Sequence, residues 1–78
     1  MSINEQVVEI LETVKPTKNL AKVTDIIEGG YIDSFELMYL ISLLSDKFGV
    51  EISVDDISVE NFNSASSIAD MIGRLKKR

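Results

Sequence analysis

Residues 31–52 read YIDSFELMYLISLLSDKFGVEI. At about 100° per residue, Leu37, Leu40, Ile41, Leu44 and Phe48 share one side of a helical wheel. The spacing predicts a helix from about Ser34 to Phe48 whose apolar stripe faces a core. Asp33 suits the N-cap, Glu36 three residues later completes a capping box, and Gly49 suits the left-handed turn that ends a helix. None of this requires Ser34, although a hydroxyl stands there at the mouth of the most apolar helix, just ahead of an aromatic residue.

Working outward, residues 3–15 place Ile3, Val7, Ile10, Leu11 and Val14 on one helical face, with Glu5, Glu9 and Glu12 on the other. Ser2 and Glu5 have the form of a capping box, and Pro16 stops the helix. Residues 17–32 hold Leu20, Val23, Ile26 and Ile27 before Gly29 and Gly30, and predict a long ordered connection pinned to the core by those apolar residues. Connections of that length are uncommon unless they carry function. Beyond Gly49, Asp55 and Asp56 are candidate caps for a short helical turn ending near Phe62. Ser64 is expected to cap a last helix with Ile68, Met71, Ile72 and Leu75 buried. Lys76, Lys77 and Arg78 follow, where the helix dipole favours cations. The reading is all-α: three main helices and a short one, packed as a bundle within one domain, residues 1–78.

Composition excludes much chemistry. Seventy-eight residues lie near the lower limit for a single core. The chain has neither Cys nor His. That removes disulfides, thiolate metal sites and the commonest general base, so no metal site and no catalysis of its own are expected. MSINEQ has neither a basic start nor an apolar run, and the longest apolar run, LMYLI, is far too short to span a membrane. A cytoplasmic monomer is the expectation.

Charge is unevenly spread. Between Asp33 and Glu60 there are seven acids and one base, Lys47, whereas the last eighteen residues carry one acid, Asp70, against Arg74, Lys76, Lys77 and Arg78. An acidic middle repels nucleic acid and suits a partner with a basic face; it is also what a solvated surface looks like. On the wheel of the main helix, Phe35, Tyr39, Ser42 and Asp46 point away from the core stripe. Phe35 and Tyr39 read as partner anchors, with Glu36, Asp46, Asp56 and Glu60 as docking charges. Scattered exposed apolar residues are the plainer explanation.

For Ser34 three explanations stand together: a tolerated polar residue at a helix start, a nucleophile, or a covalent attachment point. No His is present to take its proton. A phosphate there would meet a helix N-terminus that favours anions, but Asp33 and Glu36 would oppose it. Spacing alone does not choose.

The surrounding run does. Gly30-x-x-Asp33-Ser34-Phe35-Glu36-Leu37-x-x-Leu40-Ile41-x-x-Leu44-x-x-x-Phe48-x-Val50-x-Ile52 resembles the signature of acyl carrier proteins. The likeness continues through Ile57-Ser58-Val59-Glu60-Asn61-Phe62 and through Ser64 to Leu75. It implies a four-helix acyl-carrier-like bundle, with Ser34 as the attachment point of 4′-phosphopantetheine and Asp33 as the acidic member of the motif. It further implies a phosphopantetheinyl transferase that draws the arm from coenzyme A, and a thiol on that arm that holds cargo as a thioester. Loading enzymes and downstream synthases or transferases with basic docking faces would be the other partners, in fatty acid, polyketide or related biosynthesis.

The chain departs from the pattern in two ways. Phe35 stands where the family usually has Leu, and Tyr39, Ser42, Ser45 and Lys47 leave the main helix poorer in acids than carriers of fatty acid synthesis. D-alanyl and peptidyl carriers share the serine and the fold, so an aminoacyl cargo stays open. If fatty cargo enters the bundle, as it does in the family, Leu37, Leu40, Ile41, Phe62 and Ile68 would line its path, although each is also expected in the core. The rival from another class is an unmodified helical interaction module using Phe35 and Tyr39.

Overall fold

Local chemistry sets the helix ends. The computed structural model describes residues 2–77. Helix α1 spans Ile3–Val14, α2 Ser34–Phe48, α3 Val59–Phe62 and α4 Ala65–Leu75, with a 3-10 turn at Val54–Asp56; no strand occurs among the described residues. Both expected capping boxes form. The Ser2 hydroxyl accepts from Glu5 N–H at 3.1 Å, and Glu5 accepts from Ser2 N–H at 3.1 Å. Asp33 and Glu36 make the same exchange at 2.9 and 2.8 Å. Gly49 ends α2 at φ 63, where a residue without Cβ escapes the left-handed penalty. Just beyond it, the Ser45 hydroxyl donates to the Val50 carbonyl at 2.6 Å.

Helix α1 packs against both α4 and α2, and α3 packs against α4. Val7, Leu11, Leu40, Leu44, Phe62, Ile68, Met71 and Ile72 are essentially sealed from solvent. Each such side chain contributes about 1.5–3 kcal/mol by leaving water, and together they hold the four helices. Of the expected α2 stripe, Leu40 and Leu44 are fully buried, while Leu37, Ile41 and Phe48 pack at its margin. At the far end, the Lys76 ammonium lies 5.8 Å from the centre of the Phe48 ring, within range of a cation–π contact. Arg78, the last of the expected terminal cations, lies outside the described residues.

The connection between α1 and α2 contains no helix, yet it is part of the core. Leu20, Ile26 and Ile32 are buried, and Val23, Ile27 and Tyr31 pack against them. Its backbone is held by one distant residue, Asn63, between α3 and α4. The Asn63 carbonyl accepts from Ile26 N–H at 2.9 Å. The Asn63 side-chain oxygen accepts from Ile27 and Glu28 N–H at 3.0 and 3.3 Å, and its amide donates to the Glu28 carboxylate at 2.9 Å. A Cβ on Gly29 would lie 2.7 Å from the Asp25 carbonyl, so the turn there closes too tightly for a side chain.

The short elements correct one expectation. Asp55 and Asp56 do not cap the helix that ends at Phe62. Ser58 does, accepting from Asn61 N–H at 3.2 Å. Asp56 closes the preceding turn instead, its carboxylate accepting from both Ser53 N–H and the Ser53 hydroxyl at 3.0 Å.

If the connection belongs to the core, Leu20→Ala should cost about 2–5 kcal/mol of unfolding free energy although Leu20 lies in no helix. Val54→Ala, at a side chain that is 84% exposed, should stay within about 0.5 kcal/mol of the parent. Urea midpoints measure both, and equal midpoints would show that the connection contributes nothing to the core.

Candidate functional site

The site is built at the start of α2. Ser34 is the first helical residue, and its backbone is bracketed by the Asp33–Glu36 exchange. It is exposed, and among the described residues no hydrogen bond ties down its hydroxyl. The first amides of a helix lack intrahelical acceptors. Asp33 takes the one on Glu36, so the amides of Ser34 and Phe35 still contribute to the positive end of the helix dipole.

Glu36 has a second partner. Lys15, the C-cap of α1, reaches across to it, placing Nζ 3.2 Å from Oε1 and 2.9 Å from Oε2. Both side chains are about a quarter exposed, 26% and 24%. The Lys15 donor first, and Asp33 N–H second, hold the Glu36 carboxyl below the ordinary value of 4.5; partial burial and the Asp33 charge oppose that shift. The carboxylate is thus ionised, anchored and substantially neutralised.

The outer face of α2 matches the wheel. Phe35 is 85% exposed, Met38 68% and Tyr39 49%, with Ser42 and Asp46 exposed further along. Met38 was not singled out in sequence, although its wheel position about 40° from Ser42 places it beside the outer face. Glu60 is exposed on α3. Asp56, read as a docking charge, is buried at 7% exposure with its carboxylate turned to Ser53, so it presents little charge to a partner. Glu36 is similarly committed, to Lys15 and to its own cap.

A small apolar cleft of about 200 Å³ opens between α2 and the segment leading into α3, lined by Ile27, Leu37, Ile57, Ser58, Val59 and Phe62. Only Leu37 and Phe62 of the residues expected to line a cargo path reach it. Leu40 and Ile68 are sealed in the core, and Ile41 packs at its margin.

An exposed, unbonded hydroxyl on a capped helix start is open to covalent modification. The family described as the phosphopantetheine attachment site matches residues 4–75. The chain belongs to that family. It is a phosphopantetheine-carrying carrier protein, in the acyl-carrier kind of helical bundle, and its prosthetic group is covalently attached 4′-phosphopantetheine. Carrier domains of this family are generally not catalytic themselves. No described helix is long and apolar enough to cross a membrane.

The depressed Glu36 carboxyl gives a pH prediction. A group whose pKa is lower folded than unfolded adds stability above its unfolded value and loses it as pH falls through the folded one. The stability gap between the parent and Glu36→Gln should therefore be widest near neutrality and shrink below about pH 4. Other carboxylates titrate in both chains and cancel in the difference. Urea midpoints across the range measure the gap, and one that persists undiminished near pH 2 would show that the Glu36 charge is not involved.

Proposed function

We propose that Ser34 carries the phosphopantetheine arm and that the chain delivers acyl or aminoacyl groups, held on that arm, to partner enzymes of fatty acid, polyketide or related biosynthesis. The observation that carries the reading is the Ser34 hydroxyl, exposed and unbonded at the capped start of α2 within the span that the family matches. When attached, 4′-phosphopantetheine supplies a terminal thiol that holds cargo as a thioester, on a tether that keeps the cargo at roughly millimolar effective concentration near a docked enzyme.

Installation is a phosphoryl transfer. Ser34 Oγ gives up its proton and forms an O–P bond as a pyrophosphate P–O bond of coenzyme A breaks and adenosine bisphosphate leaves. The proton goes to a base on the transferase, since this chain has no His and the neighbouring Asp33 and Glu36 carboxylates are committed to the cap and to Lys15. The chain's own contribution is mechanical and electrostatic. Asp33 and Glu36 fix the backbone on either side of the serine, and the helix dipole favours the phosphodiester charge. The amides of Ser34 and Phe35 strengthen that field where the two nearby carboxylates weaken it.

Docking rests on Phe35 and Tyr39, with Met38 added and Asp46 and Glu60 as the charges free to meet a basic face. The patch is small, as an encounter that must release its partner requires. The apolar cleft beside Leu37 favours an aliphatic cargo over a polar one, because each Å² of apolar area removed from water is worth about 25 cal/mol. The chain is proposed to act as one cytoplasmic, monomeric domain without catalysis of its own.

Incubation with coenzyme A and a broad-specificity phosphopantetheinyl transferase, followed by intact-mass measurement, tests the attachment. One added arm is expected on the parent and none on Ser34→Ala. No addition to the parent would favour an unmodified interaction module instead. Phe35→Ala is expected to slow arm transfer or cargo delivery by about tenfold, as loss of an exposed anchor does, with the helical circular dichroism unchanged. Loss of helix in that variant would overturn the assignment of Phe35 to the docking face.

A further inference from the structure

We infer that Lys15 is a positioning residue for modification at Ser34, acting through Glu36 from the end of another helix. The inference rests on Ser34 being the attachment serine, and it assigns to α1 a role that neither the motif nor the family match contains.

Three observations converge. First, the Asp33–Glu36 exchange closes a ring of two hydrogen bonds, 2.9 and 2.8 Å, around Ser34 and Phe35. The ring orders the first turn internally but does not fix it to the body of the protein. Phe35 is exposed and so contributes no burial there, and Leu37 sits only at the core margin. Second, the Lys15 ammonium supplies that link. It meets both oxygens of Glu36, one of which also accepts from Asp33 N–H. Third, the base of the link is firm. Lys15 N–H donates to the Leu11 carbonyl at 2.9 Å, and Leu11 and Val14 are buried. Pro16 follows directly and limits the backbone beyond it. The chain between the two helix ends consists of turns, so this side-chain bridge ties the start of α2 directly to the end of α1.

The bridge also changes the charge next to the reacting oxygen. Coenzyme A brings a pyrophosphate to a serine flanked by Asp33 and separated by one residue from Glu36. Lys15 offsets the Glu36 charge, so the approach of that anion is opposed mainly by Asp33. Positioning and neutralisation act through the same pair of atoms and both disappear with the ammonium. Among the described residues no second cation lies within ion-pair distance of Glu36.

The test is transferase kinetics on the full chain, with Lys15→Met, Lys15→Arg, Glu36→Gln and the double variant Lys15→Met/Glu36→Gln. Coenzyme A is the arm donor, under conditions where circular dichroism shows each variant fully helical. Lys15→Met is expected to lower kcat/KM for arm transfer by about threefold to tenfold, mainly in kcat, as mispositioning of a reacting group does. Lys15→Arg should restore most of the loss, because a guanidinium can hold the same carboxylate. In the Glu36→Gln background the Lys15→Met effect should shrink to less than about twofold, the non-additivity expected of two residues acting as one unit. Amide hydrogen exchange at Phe35–Leu37 should rise in Lys15→Met without any rise at Leu44, which separates a loosened first turn from a destabilised bundle. A parent chain that accepts the arm while Lys15→Met transfers at the parent rate overturns the Lys15 assignment alone. So does a Lys15→Met loss of equal size with and without Glu36. A parent that accepts no arm on Ser34 overturns the attachment reading, and this inference with it.

Discussion

The reciprocal hydrogen bonds between Asp33 and Glu36 set where α2 begins, and the burial of Leu40 and Leu44 sets which of its residues face out. Leu40 and Leu44 must point into the core. With about 100° between successive residues, positions 35, 39, 42 and 46 are then forced outward. Starting the helix one residue later would leave Ser34 in extended backbone, without the cap around it. Cap and core together therefore place a hydroxyl and an aromatic ring in solvent at the head of α2.

That helix is steadied from outside. The connection before it, residues 15–33, would be a poor anchor if it were loose, because an untethered segment costs conformational entropy wherever its end must be fixed. Here Leu20, Ile26 and Ile32 are buried, and Asn63 takes up three of its backbone amides. The core is thus closed partly by residues in no helix, which suits a chain of this size, where every buried side chain counts. The connection can bury itself without disturbing Ser34 because its apolar residues face the bundle, while Asp33 begins the exposed turn.

Legibility in the sequence followed the range of the interaction. The bounds of the three main helices, both capping boxes and the left-handed Gly49 are properties of residues within about four positions of one another, and could be read directly. The exposure of Phe35 and Tyr39 came from periodicity alone. Met38 lies about 40° from Ser42 on the same wheel, so the same periodicity carried a signal for it that went unused. Asp56 was misread for a different reason. Its charge was counted with the acidic surface, but Ser53 three residues earlier turns the carboxylate into a local cap. Serines at 53 and 58 carried a signal that could have been weighed against the aspartates, because Ser, like Asp, is a preferred N-cap. Asn63 and the Lys15–Glu36 bridge were invisible: their partners lie 35 to 37 and 21 positions away, and nothing local marks them.

The resulting surface suggests how a carrier of this shape discriminates among partners. Of the acids in the middle of the chain, Asp33 and Glu36 are engaged in the cap and Asp56 is turned inward, so the formal charge overstates the field that a partner meets. The exposed apolar side chains of Phe35, Met38 and Tyr39 are not diminished in that way. Charge acts at a distance and mainly raises the rate of encounter, whereas apolar contact acts only on touching and mainly lengthens the stay. Asp46, Glu51, Asp55 and Glu60 stay exposed, so the proposed docking face joins long-range attraction from those acids to apolar contact from three large side chains. On that proposed face the apolar part of docking would be insensitive to salt and the acidic part would weaken with it, and Phe35 would favour an enzyme that offers a pocket to an aromatic ring.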